Sequence, residues 1–218
     1  MSEIVKTRRR YESPHRREQA AATRRKIVGA AQALFLERGY AGTTMAAVAD
    51  SAGVVVETLY RSFGSKAALF GAVVEAALAG GVERAEVPVE ERPAIAAVIA
   101  ETDPVRQVAL YAGTQPGIHR RAGPLLRAVR DAAALDPEVA RVWREIEEDR
   151  YTGQSRFVAL LASRGSLHEG LSVEQGSDVL WALTSLAVHD LLVLSRGWSS
   201  QQYEHWLAAA LTRELLGR

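Results

Sequence analysis

Residues 43–70 read TTMAAVADSAGVVVETLYRSFGSKAALF. Two short helical runs flank a glycine there. Thr43 or Thr44 offers a side-chain oxygen to cap a helix over 45–51, because the first N–H groups of a helix lack partners within it. Gly53 makes the turn, and a second run covers about 55–63. Gly64 and Ser65 interrupt the chain again, and Ser65 caps a further helix over 66–80 with Leu69, Phe70, Val73 and Ala77 on one face. Just upstream, Ile27, Ala30, Ala31, Leu34 and Phe35 form the apolar stripe of a longer helix that Gly39 ends. Three helices with a glycine turn between the second and third have the layout of a helix-turn-helix, in which the third helix enters the major groove of DNA.

Sorting side chains by direction assigns roles. Val48, Val54 and Leu59 face inward and fix the angle between the second and third helices, while the small Ala47 and Ala49 let them approach. Val55, Val56, Glu57, Thr58, Tyr60 and Arg61 are left for DNA. Thr58 and Tyr60 can donate to phosphate oxygens. Lys66 joins a cation to the positive end of a helix, a combination that suits a phosphate. The competing reading is a helical hairpin used for packing, with Tyr60 and Phe63 as core.

The charge distribution favours a nucleic acid. The 218-residue chain has a formal net charge of +1, yet residues 1–26 hold nine Lys/Arg against three Glu and residues 27–218 hold eighteen against twenty-three. An arm over 1–19, carrying Arg8, Arg9, Arg10, Arg16 and Arg17, is expected to be flexible and to reach an adjacent groove or phosphate. A solvated tail is the alternative. There are no cysteines, which excludes disulfides and thiolate metal sites and fits a reducing cytoplasm. No uncharged apolar run of about 18 residues is evident, so no membrane span is expected, and the charged start lacks the apolar core of a secretory signal.

The run from Ser51 to Phe70, with its glycine turn, Thr58-Leu59-Tyr60, Phe63, Ser65-Lys66 and Ala68-Leu69-Phe70, resembles the signature of the TetR (tetracycline repressor) family. The helix-rich remainder and the ending GWSSQQYEHWLAAALTRELLGR are similar to actinobacterial-type regulators of that family. The resemblance implies an all-α, homodimeric transcriptional regulator, usually a repressor. An N-terminal domain would bind a palindromic double-stranded operator, and a C-terminal domain would bind a small-molecule effector. It implies DNA contacts at Thr44, Val56, Glu57, Thr58, Tyr60, Arg61 and Lys66. It also implies a division into a basic arm (1–19), a DNA-binding domain (20–65) and a ligand-binding and dimerisation domain (66–218, with 66–80 as connecting helix). Val55 departs from the pattern, because the family often has Ser or Thr there. A valine cannot accept the capping hydrogen bond, which costs about 1 kcal/mol. Val55, Val56, Ala46 and Ala47 also offer no hydrogen bonds to base edges, so readout falls on Glu57, Arg61, Thr58 and Tyr60, with the valines left to thymine methyls.

Beyond Gly80-Gly81 the pattern stays helical. Helices are expected over about 90–101, 103–118, 122–134, 137–163, 173–195 and 199–216, with no strand and no internal repeat. Leu180, Leu183, Ala187, Leu191 and Leu194 fall on one face, and Leu207, Leu211 and Leu215 on another. In the family such a helix pair forms a four-helix dimer interface, and all eight residues are assigned to it; the competing reading is that all of them belong to the intramolecular core. Arg106, Tyr111, Arg130, Trp143, Trp181 and His189 are the candidate pocket residues, suited to an apolar ligand with one polar or anionic group. His189-Asp190, inside an apolar run, needs a partner in either a pocket or the dimer interface.

Enzymatic motifs are missing. There is no G-x-S-x-G and no H-E-x-x-H, and the glycines 165 and 170 precede Leu171 where a phosphate-binding loop needs lysine. The histidines at 15, 119, 168, 189 and 205 show no paired metal spacing. No catalytic residue, cofactor or metal is therefore expected. A ligand-independent adaptor that binds protein is the remaining rival.

Overall fold

The computed structural model describes residues 14–217, and every regular element among them is helical. Helix α1 spans Pro14–Gly42, with a break at Gly39, where φ is 69°. A left-handed residue ends a helix at little cost only when it lacks a Cβ, so the expected stop at Gly39 is where the rod ends. Its start lies earlier than the apolar stripe, so residues 14–19 are helical. Next come α2 (Met45–Ala52), α3 (Val56–Phe63), α4 (Lys66–Ala79) and the one-turn α5 (Val82–Ala85). A 3-10 turn at Val89–Glu91 leads into α6 (Pro93–Ala100), α7 (Pro104–Ala133) and α8 (Pro137–Ser163). The chain ends with α9 (Val173–Leu183), the one-turn α10 (Leu186–His189), a π-helical segment (Asp190–Ser195) and α11 (Ser200–Leu216).

Two expected boundaries move. The helices placed at 103–118 and 122–134 are one rod of 30 residues, with Pro116 and Pro124 inside it. Each proline removes one ladder hydrogen bond. Packing holds the rod together nonetheless, because buried residues run along it from Gln107 to Val129. The helix expected over 173–195 is instead three pieces. The Thr184 hydroxyl donates to the Leu180 carbonyl at 2.7 Å, and Ser185 caps a new helix by accepting from the Val188 N–H at 3.3 Å. By length and composition alone Val173–Ser195 is long and apolar enough to cross a membrane, although Asp178 and Asp190 lie inside it. In this fold it breaks at Thr184–Ser185, and 22% of its most apolar window is buried.

The helices enclose two cores. The first joins α1, α2, α3 and α4 to the second half of α7, through Ala122, Leu125, Leu126 and Val129, and to Val139 and Val142 of α8. The second joins Val98 of α6, the first half of α7, the second half of α8, Leu180 of α9 and the buried face of α11. Thus α7 and α8 run through both cores, and the packing boundary lies part-way along them. The N-terminal core is not closed by α1 to α4 alone.

Candidate DNA interface and effector site

The reader is assembled by caps and one tight turn. The Thr44 hydroxyl accepts from the Ala47 N–H at 3.1 Å and starts α2. Thr43 takes the other role open to it: its buried hydroxyl is shared between the Leu34 carbonyl at 3.1 Å and the Gly39 carbonyl at 2.8 Å. Thr43 therefore pins the loop to α1. Gly53 closes α2 at φ 64°, and its N–H reaches the Ala49 and Asp50 carbonyls. Val54 then donates to the Ala49 carbonyl at 3.0 Å. Only glycine adopts this backbone readily. Val55 occupies the cap position of α3 without a side-chain hydrogen bond, as its chemistry requires.

Leu59 anchors α3 with 0% exposure, while Val55 is 65% and Tyr60 52% exposed. Glu57 and Arg61 are exposed, and Val56 and Thr58 are half-buried. The outward face of α3 therefore carries Glu57, Tyr60 and Arg61 beside the exposed Val55 cap, whereas Val56, expected to meet DNA, packs on the first core, and Thr44 lies exposed at the start of α2. The chain turns by 71° between α3 and α4. Ser65 caps α4 by accepting from the Ala68 N–H at 3.2 Å. Lys66 opens that helix, with its ammonium 4.1 Å from the centre of the Tyr40 ring. Burial lowers its pKa, and the Asp136 carboxylate opposes that shift. Arg24 stacks over Phe63 at 4.7 Å, which fastens α1 to the recognition helix. Of the arm, Arg16 is exposed on α1. Arg8, Arg9, Arg10 and the Arg17 side chain lie outside the described residues.

The expected pocket residues separate. Arg106 is exposed, and Arg130 is exposed beside Asp131 at 3.2 Å. Trp143 packs on the first core instead. Trp181 is 38% exposed, with the Arg150 guanidinium 4.9 Å above its ring. Only Tyr111 and His189 enter a common interior cluster. These departures share one cause: α7 and α8 each present different faces to solvent, to the first core and to the second core, and helical spacing alone does not say which face is which.

That cluster lies at the seam between the cores. His119 of α7 and His189 of α10 stack at 4.2 Å, and the Tyr203 ring of α11 meets both edge-on. Tyr111 stacks on Phe157 at 4.4 Å. The Gln154 amide donates to the Thr184 hydroxyl at 2.7 Å. His119 Nδ1 and Nε2, Tyr203 Oη and Gln154 Oε1 are buried without hydrogen-bond partners. The Thr184 carbonyl faces the His119 ring outside hydrogen-bonding geometry. Burial, reinforced by His189, lowers the His119 pKa to about 3, so the imidazole is neutral. Burial likewise raises the Tyr111 hydroxyl to about 12 and pushes the Tyr203 hydroxyl up. At one edge, Asp190 accepts from Arg127 at 2.9 Å and lies 3.3 Å from His189 Nδ1. His189-Asp190 thus faces the protomer's interior. At the other edge, Arg150 pairs with Glu147 at 2.9 Å and donates to the Trp181 carbonyl at 3.0 Å.

His119, Tyr203, Gln154 and Thr184 were not legible as site residues. His119 and His189 are 70 positions apart in the sequence, and only the folding of α10 against α7 unites them. No group of three or more potential metal ligands occurs among the described residues. The eight proposed dimer residues also divide. Leu180, Leu207, Leu211 and Leu215 are 0% exposed inside the protomer's second core, so they are not surface residues. Ala187, Leu191 and Leu194 are exposed and Leu183 is half-buried. The stripe on α11 is consumed by α7, which leaves the apolar surface to α10 and the π-helical segment.

Residues 27–73 match the family described as bacterial regulatory proteins, tetR family. No curated protein matches the chain. Among solved structures, the fold is similar to that of a protein from Mesorhizobium loti assigned to the TetR-family transcriptional regulators, with TM-score 0.67, 21% identity, and 88% of this chain and 95% of that one covered. It is also similar to NalD of Pseudomonas aeruginosa, the secondary repressor of the MexAB-OprM multidrug efflux pump, with TM-score 0.67, 23% identity, and coverage of 91% and 98%. FadR of Bacillus subtilis, solved in complex with stearoyl-CoA, matches with TM-score 0.65, 16% identity, and coverage of 85% and 96%. At these identities the likeness is one of fold.

Proposed function

We propose that this chain, whose residues 27–73 match the tetR family of bacterial regulatory proteins, is a DNA-binding transcriptional regulator and not an enzyme, represses its target as a homodimer on a palindromic operator, and releases the operator when a small molecule enters the seam. The observation that carries this reading is the division of α3. Leu59 is fully buried, while Val55, Glu57, Tyr60 and Arg61 stand outward on a helix held by Gly53 and Arg24. A packing hairpin would bury Tyr60.

Two further observations support the rest. The exposed apolar strip of Ala187, Leu191 and Leu194 suits a second copy of the chain, since a two-fold dimer matches half-sites about 34–36 Å apart or a multiple of that. The buried, unpartnered polar atoms of the seam suit a ligand, because such atoms cost free energy until something pairs with them. FadR, a relative by fold, carries stearoyl-CoA in its solved structure, in keeping with a small-molecule effector here. The cytoplasm is the compartment this role requires.

The test is fluorescence anisotropy of the purified protein with a labelled DNA fragment from upstream of its own gene, over a series of salt concentrations. The expected outcome is tight binding whose log–log slope against salt is negative. Tyr60→Ala should weaken it while the sedimentation profile stays dimeric. Binding that ignores both salt and Tyr60→Ala would falsify the reading.

A further inference from the structure

We infer that the seam binds an uncharged, ring-bearing molecule that presents a hydroxyl, alone or beside a carbonyl, to His119, Tyr203 and Gln154. This inference rests on the effector reading above and names the chemistry of that effector.

The hydrogen-bonding inventory selects the polar group. A neutral imidazole offers one donor and one acceptor, a phenol offers both, and Gln154 Oε1 accepts only. Tyr203 Oη, both nitrogens of His119 and Gln154 Oε1 are buried with no partner. An alcohol or phenol both donates and accepts, so it can satisfy one atom of each kind. A carboxylate only accepts and leaves Gln154 Oε1 unmet, while a quaternary ammonium offers no hydrogen bond.

Electrostatics points the same way. The two guanidinium groups at the seam are already engaged, Arg127 by Asp190 and Arg150 by Glu147. A charged ligand would find no unpaired counterion beside it, and burying an unpaired charge is far costlier than burying a hydrogen-bonded hydroxyl. The rings packed around these atoms select the body of the ligand. The stacked His119 and His189 rings, the edge-on Tyr203 and the Tyr111–Phe157 stack favour another ring in offset or edge contact.

The backbone supplies the means of entry. His189 sits on a one-turn helix between the break at Thr184–Ser185 and a π-helical segment, and π-turns are common at functional sites. Displacing so short a piece breaks few ladder hydrogen bonds, so a ligand can part the imidazole stack without unravelling α9 or α11.

A matched series on one skeleton tests the charge rule: 4-(hydroxymethyl)benzophenone, 4-benzoylbenzoate and (4-benzoylbenzyl)trimethylammonium. Each is titrated into the full chain while tryptophan fluorescence is followed, since Trp206 lies 6.2 Å from Tyr203. The alcohol should bind, the two ions at least about tenfold more weakly. Tyr203→Phe and His119→Phe, which keep a ring in place, should each weaken the alcohol by about tenfold, the loss expected for one or two buried hydrogen bonds. Thermal melts establish that both variants fold. Preferred binding of either ion, binding of the alcohol that neither variant weakens, or no binding by any of the three would overturn the inference. Operator binding measured on the same preparation separates the outcomes. If DNA binding survives and the alcohol rule fails, only the ligand class is wrong. If DNA binding fails as well, the regulatory reading falls with it.

Discussion

The Lys66 ammonium stands 4.1 Å from the centre of the Tyr40 ring, so the cation at the start of α4 is held by the last turn of α1. Asp136, from the turn between α7 and α8, acts electrostatically on both side chains and lies beside the Tyr40 hydroxyl. Burial, with Asp136, raises that hydroxyl's pKa to about 12, so it remains a neutral phenol. The clamp pre-positions Lys66 beside α3. Lys66→Gln should reduce the slope of log affinity against log salt by about one, the signature of a lost phosphate contact. Anisotropy at four or more salt concentrations measures it, and an unchanged slope would assign Lys66 to the clamp alone.

Val55 caps α3 without a hydrogen bond and is 65% exposed, so a polar residue there loses little packing. Val55→Ser should stabilise the protein by about 0.5–1 kcal/mol, which in a chain of this size raises Tm by about 1–4 °C. Differential scanning calorimetry reads the shift. A lower Tm would mean that the valine packs on something a serine cannot replace.

Substitutions at the two leucine stripes should part company. Leu191→Glu with Leu194→Glu alters exposed positions and should convert the proposed dimer to monomers with little change in the monomer's fold. Leu207→Ala removes a fully buried side chain and should cost about 2–5 kcal/mol of stability without a direct effect on assembly. Sedimentation and urea unfolding of the same samples distinguish the two.

His119 makes the protein sensitive to acid. Its pKa falls from 6.5 to about 3 on folding, first because it is buried and then because of His189. The unfolded chain therefore binds the extra proton. The associated stability is complete above the unfolded value of 6.5 and is lost as pH falls toward 3, at about 1.4 kcal/mol per pH unit at most. Urea unfolding between pH 7 and pH 5 should show a steep decline that His119→Phe flattens. An equal decline in both proteins would place the acid sensitivity elsewhere.

Residues 1–26 carry nine Lys/Arg against three Glu on a chain whose remainder is acidic. Removing residues 1–17 should weaken operator binding and make the salt slope shallower by roughly the number of phosphates the arm neutralises. If the slope of the truncated protein equals that of the full chain, the arm takes no part in binding DNA.

Local rules made the DNA-reading half legible. The order Thr44, Gly53, Val55, Gly64, Ser65 states where helices begin and stop, since caps and left-handed turns depend on a residue and its near neighbours. The break in α1 at Gly39 and the span of α8 could be read in the same way. The missing cap at Val55 was also apparent, because it follows from one side chain lacking an oxygen. Helices α7 and α9 were harder. A proline or glycine marks a possible break, but whether a rod survives depends on what it packs against. Pro116 and Pro124 lie in a helix packed by six neighbours, whereas Thr184 and Ser185 turn their hydroxyls back onto the backbone and end α9.

The sequence by itself determined that this chain is helical, where its third helix lies, that Glu57, Tyr60 and Arg61 stand outward on that helix, and that its positive charge is gathered at one end. Each of these depends on spacing, caps and composition. Only the tertiary structure decided which apolar stripe is core and which is surface, placing Leu207, Leu211 and Leu215 inside and Leu191 and Leu194 outside. It alone brought His119, His189 and Tyr203 together and set Arg106, Arg130 and Trp143 apart from them. The physical reason is that periodicity tells which residues share a face of a helix, but not what that face meets. In a bundle where α7 and α8 serve two cores, only the packing of distant helices supplies that answer.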